Sequence, residues 1–176
     1  MNITKIAAVL KKHPEIIVYK ENSRQYIGNG YVIYDITDLP ELYNDEQVFA
    51  VLGITSAKQG KYNVRIKEEL PEIISSDDYG FTVDPLQTEI KRHHGESYRI
   101  FKNDTTAIFV QQLYLKPLEE NEPYTYSVRD CGDGTQMLVV EYGLLGAIMY
   151  VMEYHMGDKQ VYQDLEDMLQ FAKRYF

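Results

Sequence analysis

His93 and His94 stand side by side in EIKRHHGES, where the side chains best suited to proton transfer or metal ligation come closest together. Neighbouring residues point apart on either a helix or a strand, and neither an HxH nor an HxxxH spacing is present. The pair therefore reads as a loop feature, with a small metal-dependent hydrolase using His93 and His94 as the rival reading. Carboxylates gather at Asp77-Asp78, at Glu119-Glu120-Glu122 and around Asp130 and Asp133. A carboxylate-pair catalyst needs two acids held apart across a substrate, whereas these three groups all lie beside turn formers. Cys131 sits in CGDG with an aspartate for a neighbour, which works against a thiolate nucleophile, and Ser75-Ser76 lacks a GxSxG setting. No nucleophile is matched with a base, so the expectation is a protein without catalytic residues, metal or cofactor.

The stretch QYIGNGYVIYD poses a second chemical question, because glycines spaced in this way can cradle phosphate. A cradle needs a helix to begin at the glycines, so that its first amides face the anion. Here YVIYD follows, a strand pattern, and Asn29-Gly30 reads as a type I′ hairpin turn.

Residues suited to binding rather than reaction are plentiful. The chain holds 16 tyrosines and no tryptophan, and tyrosine favours places where the ring packs and the hydroxyl stays wet. Tyr124, Tyr126, Tyr150 and Tyr154 alternate through the C-terminal third beside Met137, Met149, Met152 and Met156, and suggest an aromatic strip on one sheet face. Such a strip is a candidate surface for a protein partner or for a homodimer.

The elements that must position these residues follow from periodicity. Ile3, Ile6, Ala7 and Leu10 recur at helical spacing before Pro14 stops the turn. Three strand-like runs then cover EIIVYKENSRQYIGNGYVIYDI, and a short helix is expected near Asp45 to Leu52, capped by Asn44. SYRIFKNDTTAIFV gives two further strands and QQLYLKPL a short helical segment. YTYSVRD, TQMLVVEY and LLGAIMYVMEY give three more strands. The tail 158–176 carries Val161, Leu165, Met168, Leu169 and Ala172 on one stripe and reads as an amphipathic helix.

The order helix, hairpin, third strand occurs twice, in 1–54 and in 97–156, with an irregular, exposed connection at 55–96 between them. The expected fold is therefore a single α+β domain over 1–176, a largely antiparallel sheet built from two helix-hairpin-strand units with the C-terminal helix packed on it. An apolar share of 44% in 176 residues is enough to build a core, and the net charge of −9 disfavours nucleic acid and anionic membranes as partners. No run approaches the ~18 apolar residues of a membrane span, and a single cysteine fits a reducing cytoplasm.

QYIGNGYVIYDITDLPEL, SYRIFKND and LYLKPL, with the GLLGAIMYVM run, resemble a group of uncharacterised proteins from Firmicutes and their phages. The helix-plus-three-strands order is in turn similar to the half-domain unit of DNA sliding clamps. The first likeness implies a phage or mobile-element origin. The second implies a DNA-facing helix layer, to which Lys5, Lys11, Lys12 and Lys116 would belong. The leading functional expectation is a non-enzymatic binding or scaffold protein acting through its tyrosine-rich sheet face, with a clamp-like DNA role as the alternative.

Overall fold

A computed structural model describes residues 1–75, 80–91, 96–132 and 134–153. His93, His94, Asp77, Asp78, Asp133, Tyr154, His155 and the expected helix 158–176 lie outside the described residues. The chain is an α+β protein whose sheet is mostly antiparallel.

Helix α1 (Ile3–Leu10) begins where the Asn2 side chain accepts the Lys5 N–H at 3.2 Å, and it buries Ile6, Ala7, Val9 and Leu10. Three strands follow, β1 (Glu15–Glu21), β2 (Arg24–Gly28) and β3 (Val32–Asp35), each antiparallel to the last. The Gly-Asn-Gly stretch is the β2–β3 turn, as its flanks require, but it is not type I′. Gly30 has a φ of 85°, while Asn29 keeps a negative φ and its Oδ1 accepts the Tyr31 and Val32 N–H groups at 3.1 and 3.2 Å. A Cβ on Gly28 would lie 2.3 Å from the Val32 carbonyl oxygen, so the first glycine is demanded by a close backbone approach. The consecutive positive-φ pair is Asn22 and Ser23, at the β1–β2 turn.

Helix α2 (Asp45–Leu52) has the expected bounds and cap, with the Asn44 side chain accepting from the Gln47 N–H at 3.0 Å. The loop leading into it is held by Gln25, only 4% exposed. Its Nε2 lies within bonding distance of the carbonyls of Ile36, Leu39 and Pro40, and its Oε1 accepts the Leu42 N–H. A buried peptide group left unpaired costs about 1–3 kcal/mol, so this one amide offsets several such penalties in a segment without secondary structure.

Where it is described, the stretch 55–96 is more ordered than the sequence suggested. It contains α3 (Ser56–Gln59), β4 (Asn63–Lys67), α4 (Glu72–Ser75), β5 (Phe81–Thr82) and β6 (Asp84–Lys91). Strand β4 lies parallel to β1, from Glu15 against Asn63 to Tyr19 against Lys67. Strands β7 (Ser97–Lys102) and β8 (Ala107–Gln111) join β6 in a separate three-stranded sheet. Then come α5 (Gln112–Leu115), β9 (Tyr124–Asp130), β10 (Gln136–Tyr142) and β11 (Ala147–Met152).

The large sheet has the order β4-β1-β2-β3-β11-β10-β9-β5. It therefore reads outward from the β3–β11 pair as three strands of the first unit on one side and three of the second on the other. Both faces are covered. Ile16, Val18, Tyr34, Leu138, Val140 and Met149 share one cluster with α1, α2 and Phe101 of the small sheet. Ile17, Tyr19, Tyr26, Ile33, Met137, Val139 and Tyr150 form a second cluster with Leu70 and Ile74. Two buried faces account for the unbroken apolar runs IIVY and MLVV.

On the second face, burial pushes the Tyr26 phenol up to about 12 from its ordinary 10.0, against the opposing charge of Arg24. A phenol with a higher pKa folded than unfolded contributes stability below pH 10 that is lost as pH climbs through 12. The urea midpoint should fall across that interval, and Tyr26→Phe should flatten the slope. An unchanged slope in the variant would contradict this assignment.

Candidate functional site

The three described tyrosines of the expected strip do not share a face. Tyr124 and Tyr126 sit two residues apart on β9 and pack toward the α1 side. Tyr150 pairs with Val139 and is buried on the opposite side, 7% exposed, with its ring edge-on to Tyr26 at 6.4 Å. Tyr154 lies outside the described residues. A strand alternates its side chains, and β11 runs antiparallel to β10 with a register shift after Val140, so spacing within one strand cannot assign faces across three.

The lysines divide differently. Lys5 and Lys12, seven residues apart, share one side of the α1 turn and line a hollow of about 690 Å³ together with Lys116 from the end of α5. Lys11 is rotated away toward α2. Its Nζ donates to the Gly53 carbonyl at 3.3 Å, at the C-terminal end of α2, where a cation complements the helix dipole.

The hollow lies between α1 and α5, which are tied by the Asn2 N–H donating to the Pro117 carbonyl at 3.3 Å. Helix α5 is fixed from below by the buried Tyr34, whose hydroxyl donates to the Tyr114 carbonyl at 2.8 Å. Strand β7 adds Arg99 and Phe101, and β9 adds Tyr124 and Tyr126. The Phe101 and Tyr126 rings sit 5.0 Å apart. Burial lifts the Tyr126 phenol above its usual value, and the Arg99 charge works against that rise. None of Lys5, Lys12, Arg99 and Lys116 forms an ion pair among the described residues, where the ion pairs are Arg24–Asp35 and Arg65–Glu15.

Acidic side chains line the same hollow. Glu119, Glu120 and Glu122 belong to the segment between α5 and β9. Glu119, Glu122 and Tyr124 also line a second hollow of about 610 Å³, so this segment is a ridge between the two. The ridge is braced by Tyr142, whose hydroxyl donates to Glu122 at 2.6 Å, and by the Tyr124 hydroxyl, which accepts the Glu119 N–H at 3.1 Å. That bond to Glu122 is also the main cause raising the Tyr142 phenol.

Sequence reasoning missed Arg99 and Gln112 as members of the site, and it placed Leu144 and Leu145 inside a strand. They form a 3₁₀ turn, Gly143–Leu145, between positive-φ glycines 143 and 146, with Leu144 fully exposed beside the second hollow. The glycine spacing GLLG was the available signal. Arg24, paired with Asp35, also donates to the Ala147 carbonyl at 3.1 Å and anchors this turn to β2.

Of the remaining candidates, Asp130 and Cys131 are described and lie where β9 ends and its connection to β10 begins. Asp130 Oδ1 accepts the Gly132 N–H at 2.8 Å, and the Cys131 N–H donates to the Thr135 carbonyl at 2.9 Å. No three His, Cys, Asp or Glu side chains converge as a metal site among the described residues. No helix among them is long and apolar enough to cross a membrane. Comparison with protein-family models, curated proteins and solved structures returns no match; the resemblances given above rest on the residues quoted for them.

The division of the lysines has a measurable consequence. Lys11→Met should lower unfolding stability by about 0.5–1 kcal/mol through loss of the α2 terminus contact, whereas Lys12→Met should stay within about 0.5 kcal/mol of wild type. Urea titration of the two variants checks this, and equal losses would contradict it.

Proposed function

We propose that the chain is a non-enzymatic binding protein that docks a protein partner in the hollow between α1 and α5. The observation that carries this reading is the convergence of Lys5, Lys12, Arg99 and Lys116 beside Tyr124 and Tyr126, in a chain whose net charge is −9. Cations without ion pairs among the described residues, next to half-buried tyrosines, are the composition of a protein-recognition patch, where aromatic area supplies affinity and charge supplies specificity.

A clamp-like nucleic-acid role is the second reading. It is favoured by α1 and α5 lying side by side on one sheet face with three lysines between them. Against it stands the ridge of Glu119, Glu120 and Glu122, which would face a phosphate backbone with like charge.

A photo-reactive residue placed at Leu113, which lines the hollow, separates the two. The first reading expects cross-links to protein in extract of the native host, lost when Lys12→Glu and Lys116→Glu are combined. A control label at Lys67 on β4 should give none. Binding of duplex DNA at low salt, abolished by the same pair of substitutions, would instead establish the second reading. Neither result would remove the hollow as a binding site altogether.

A further inference from the structure

The second hollow, of about 610 Å³, gathers exposed apolar side chains. Of the six large hydrophobic residues exposed among the described ones, Met1, Leu144 and Leu145 line it. A single exposed leucine is ordinary, whereas three such side chains around one concavity mark a contact surface. The buried Ile6, Ile36 and Ile148 line it as well. The turn that carries the two leucines is pinned by hydrogen bonds. The Tyr142 N–H donates to the Gly146 carbonyl at 3.0 Å, and Arg24, paired with Asp35, donates to the carbonyls of Leu145 and Ala147 at 3.4 and 3.1 Å. An apolar surface held in place this way gives up little conformational entropy when a partner covers it.

Charge decides between the occupants that could cover this surface. Apart from the Arg24–Asp35 pair, the charged side chains of the lining are Asp38, Glu119 and Glu122, all exposed, and no lysine is among them. A second copy of a chain with net charge −9 would bring further carboxylates to the same place, and an anionic lipid surface would be repelled. A protein segment in which lysines or arginines flank apolar side chains complements both features at once.

We propose that the second hollow docks a basic protein segment, whose apolar side chains cover Leu144 and Leu145 while its lysines or arginines reach Asp38, Glu119 and Glu122. The site shares Glu119, Glu122 and Tyr124 with the hollow between α1 and α5 but does not depend on what binds there.

Fluorescence anisotropy tests this with the intact chain and three labelled synthetic peptides of equal length. One is built of leucines and lysines, one has serines in place of the leucines, and one has glutamates in place of the lysines. The leucine-lysine peptide should bind about tenfold more tightly than either of the others. Leu144→Ser with Leu145→Ser should remove its advantage over the serine peptide. Asp38→Lys with Glu119→Lys should remove its advantage over the glutamate peptide, whereas Glu68→Lys with Glu69→Lys, the same change of charge away from the hollow, should leave it. These six positions are exposed, and an unchanged urea midpoint for each variant confirms that folding is intact. Lys12→Met with Lys116→Met, at residues that line the first hollow and not the second, should keep the ranking of the peptides. Equal binding of the three peptides would overturn the proposal. So would a ranking that survives the leucine substitutions, one that both charge pairs alter equally, or one lost with Lys12 and Lys116, which would put the peptide in the first hollow. Dimerisation of the wild-type chain in a light-scattering concentration series, or its sedimentation with zwitterionic or anionic lipid vesicles, would also overturn it where the leucine substitutions abolish the effect, because the surface would then belong to a second copy or to a membrane.

Discussion

The pairing of β3 with β11 is the contact on which the rest of the arrangement depends. It joins Val32, Ile33 and Tyr34 to Val151, Tyr150 and Met149, residues more than a hundred positions apart, and closing so long a loop carries an entropic cost that local structure does not repay. What offsets it is the burial of both faces at the seam. Tyr34 and Met149 belong to one core cluster, and Ile33 and Tyr150 to the other. Because the seam is antiparallel, the two helix-led units meet along their third strands, and α1 and α5 fall on the same side of the sheet. The hollow is the space this leaves between them.

Charge is organised around that space rather than spread evenly. An acidic chain repels itself on average, yet α1, β7 and the end of α5 each bring cations to the lining of one concavity, together with carboxylates from the segment that follows α5. The tyrosines support this division more than they advertise a surface. Tyr142 and Tyr124 hold the glutamate ridge through their hydroxyls, Tyr34 holds α5, and Tyr150 is spent on the second core. The abundance of tyrosine thus reflects rings that pack while their hydroxyls bond loops and short helices to the sheet.

Local signals were readable wherever a residue's role is decided by its neighbours in sequence. Asn44 and the α2 pattern are local, as are the strand runs on either side of Gly28 to Gly30 and the short helix before Pro117. Roles decided across the sheet were not. The alternation in NVRIK is a strand signal, but nothing near it specifies a parallel partner in β1 reached across two hairpin strands and two helices. The aromatic strip failed for the same reason, since the faces of Tyr126 and Tyr150 are related only through the register of β10. The site was half visible. Lys5 and Lys12 are spaced by two helical turns, which sets them on one side and Lys11 on another, whereas Arg99 arrives from a sheet whose position follows from packing alone.

The central claim is that α1 and the end of α5, more than a hundred residues apart in sequence, deliver cations to one hollow. Mapping of intramolecular cross-links with a short amine-to-amine reagent tests it without any ligand. The account predicts a link between Lys12 and Lys116, with Lys5 also joined to Lys116, and none from Lys11 to Lys116 because Lys11 is directed to Gly53 on the other side of α1. Links from Lys116 to Lys11 in place of Lys12, or no link between α1 and Lys116 at all, would contradict it.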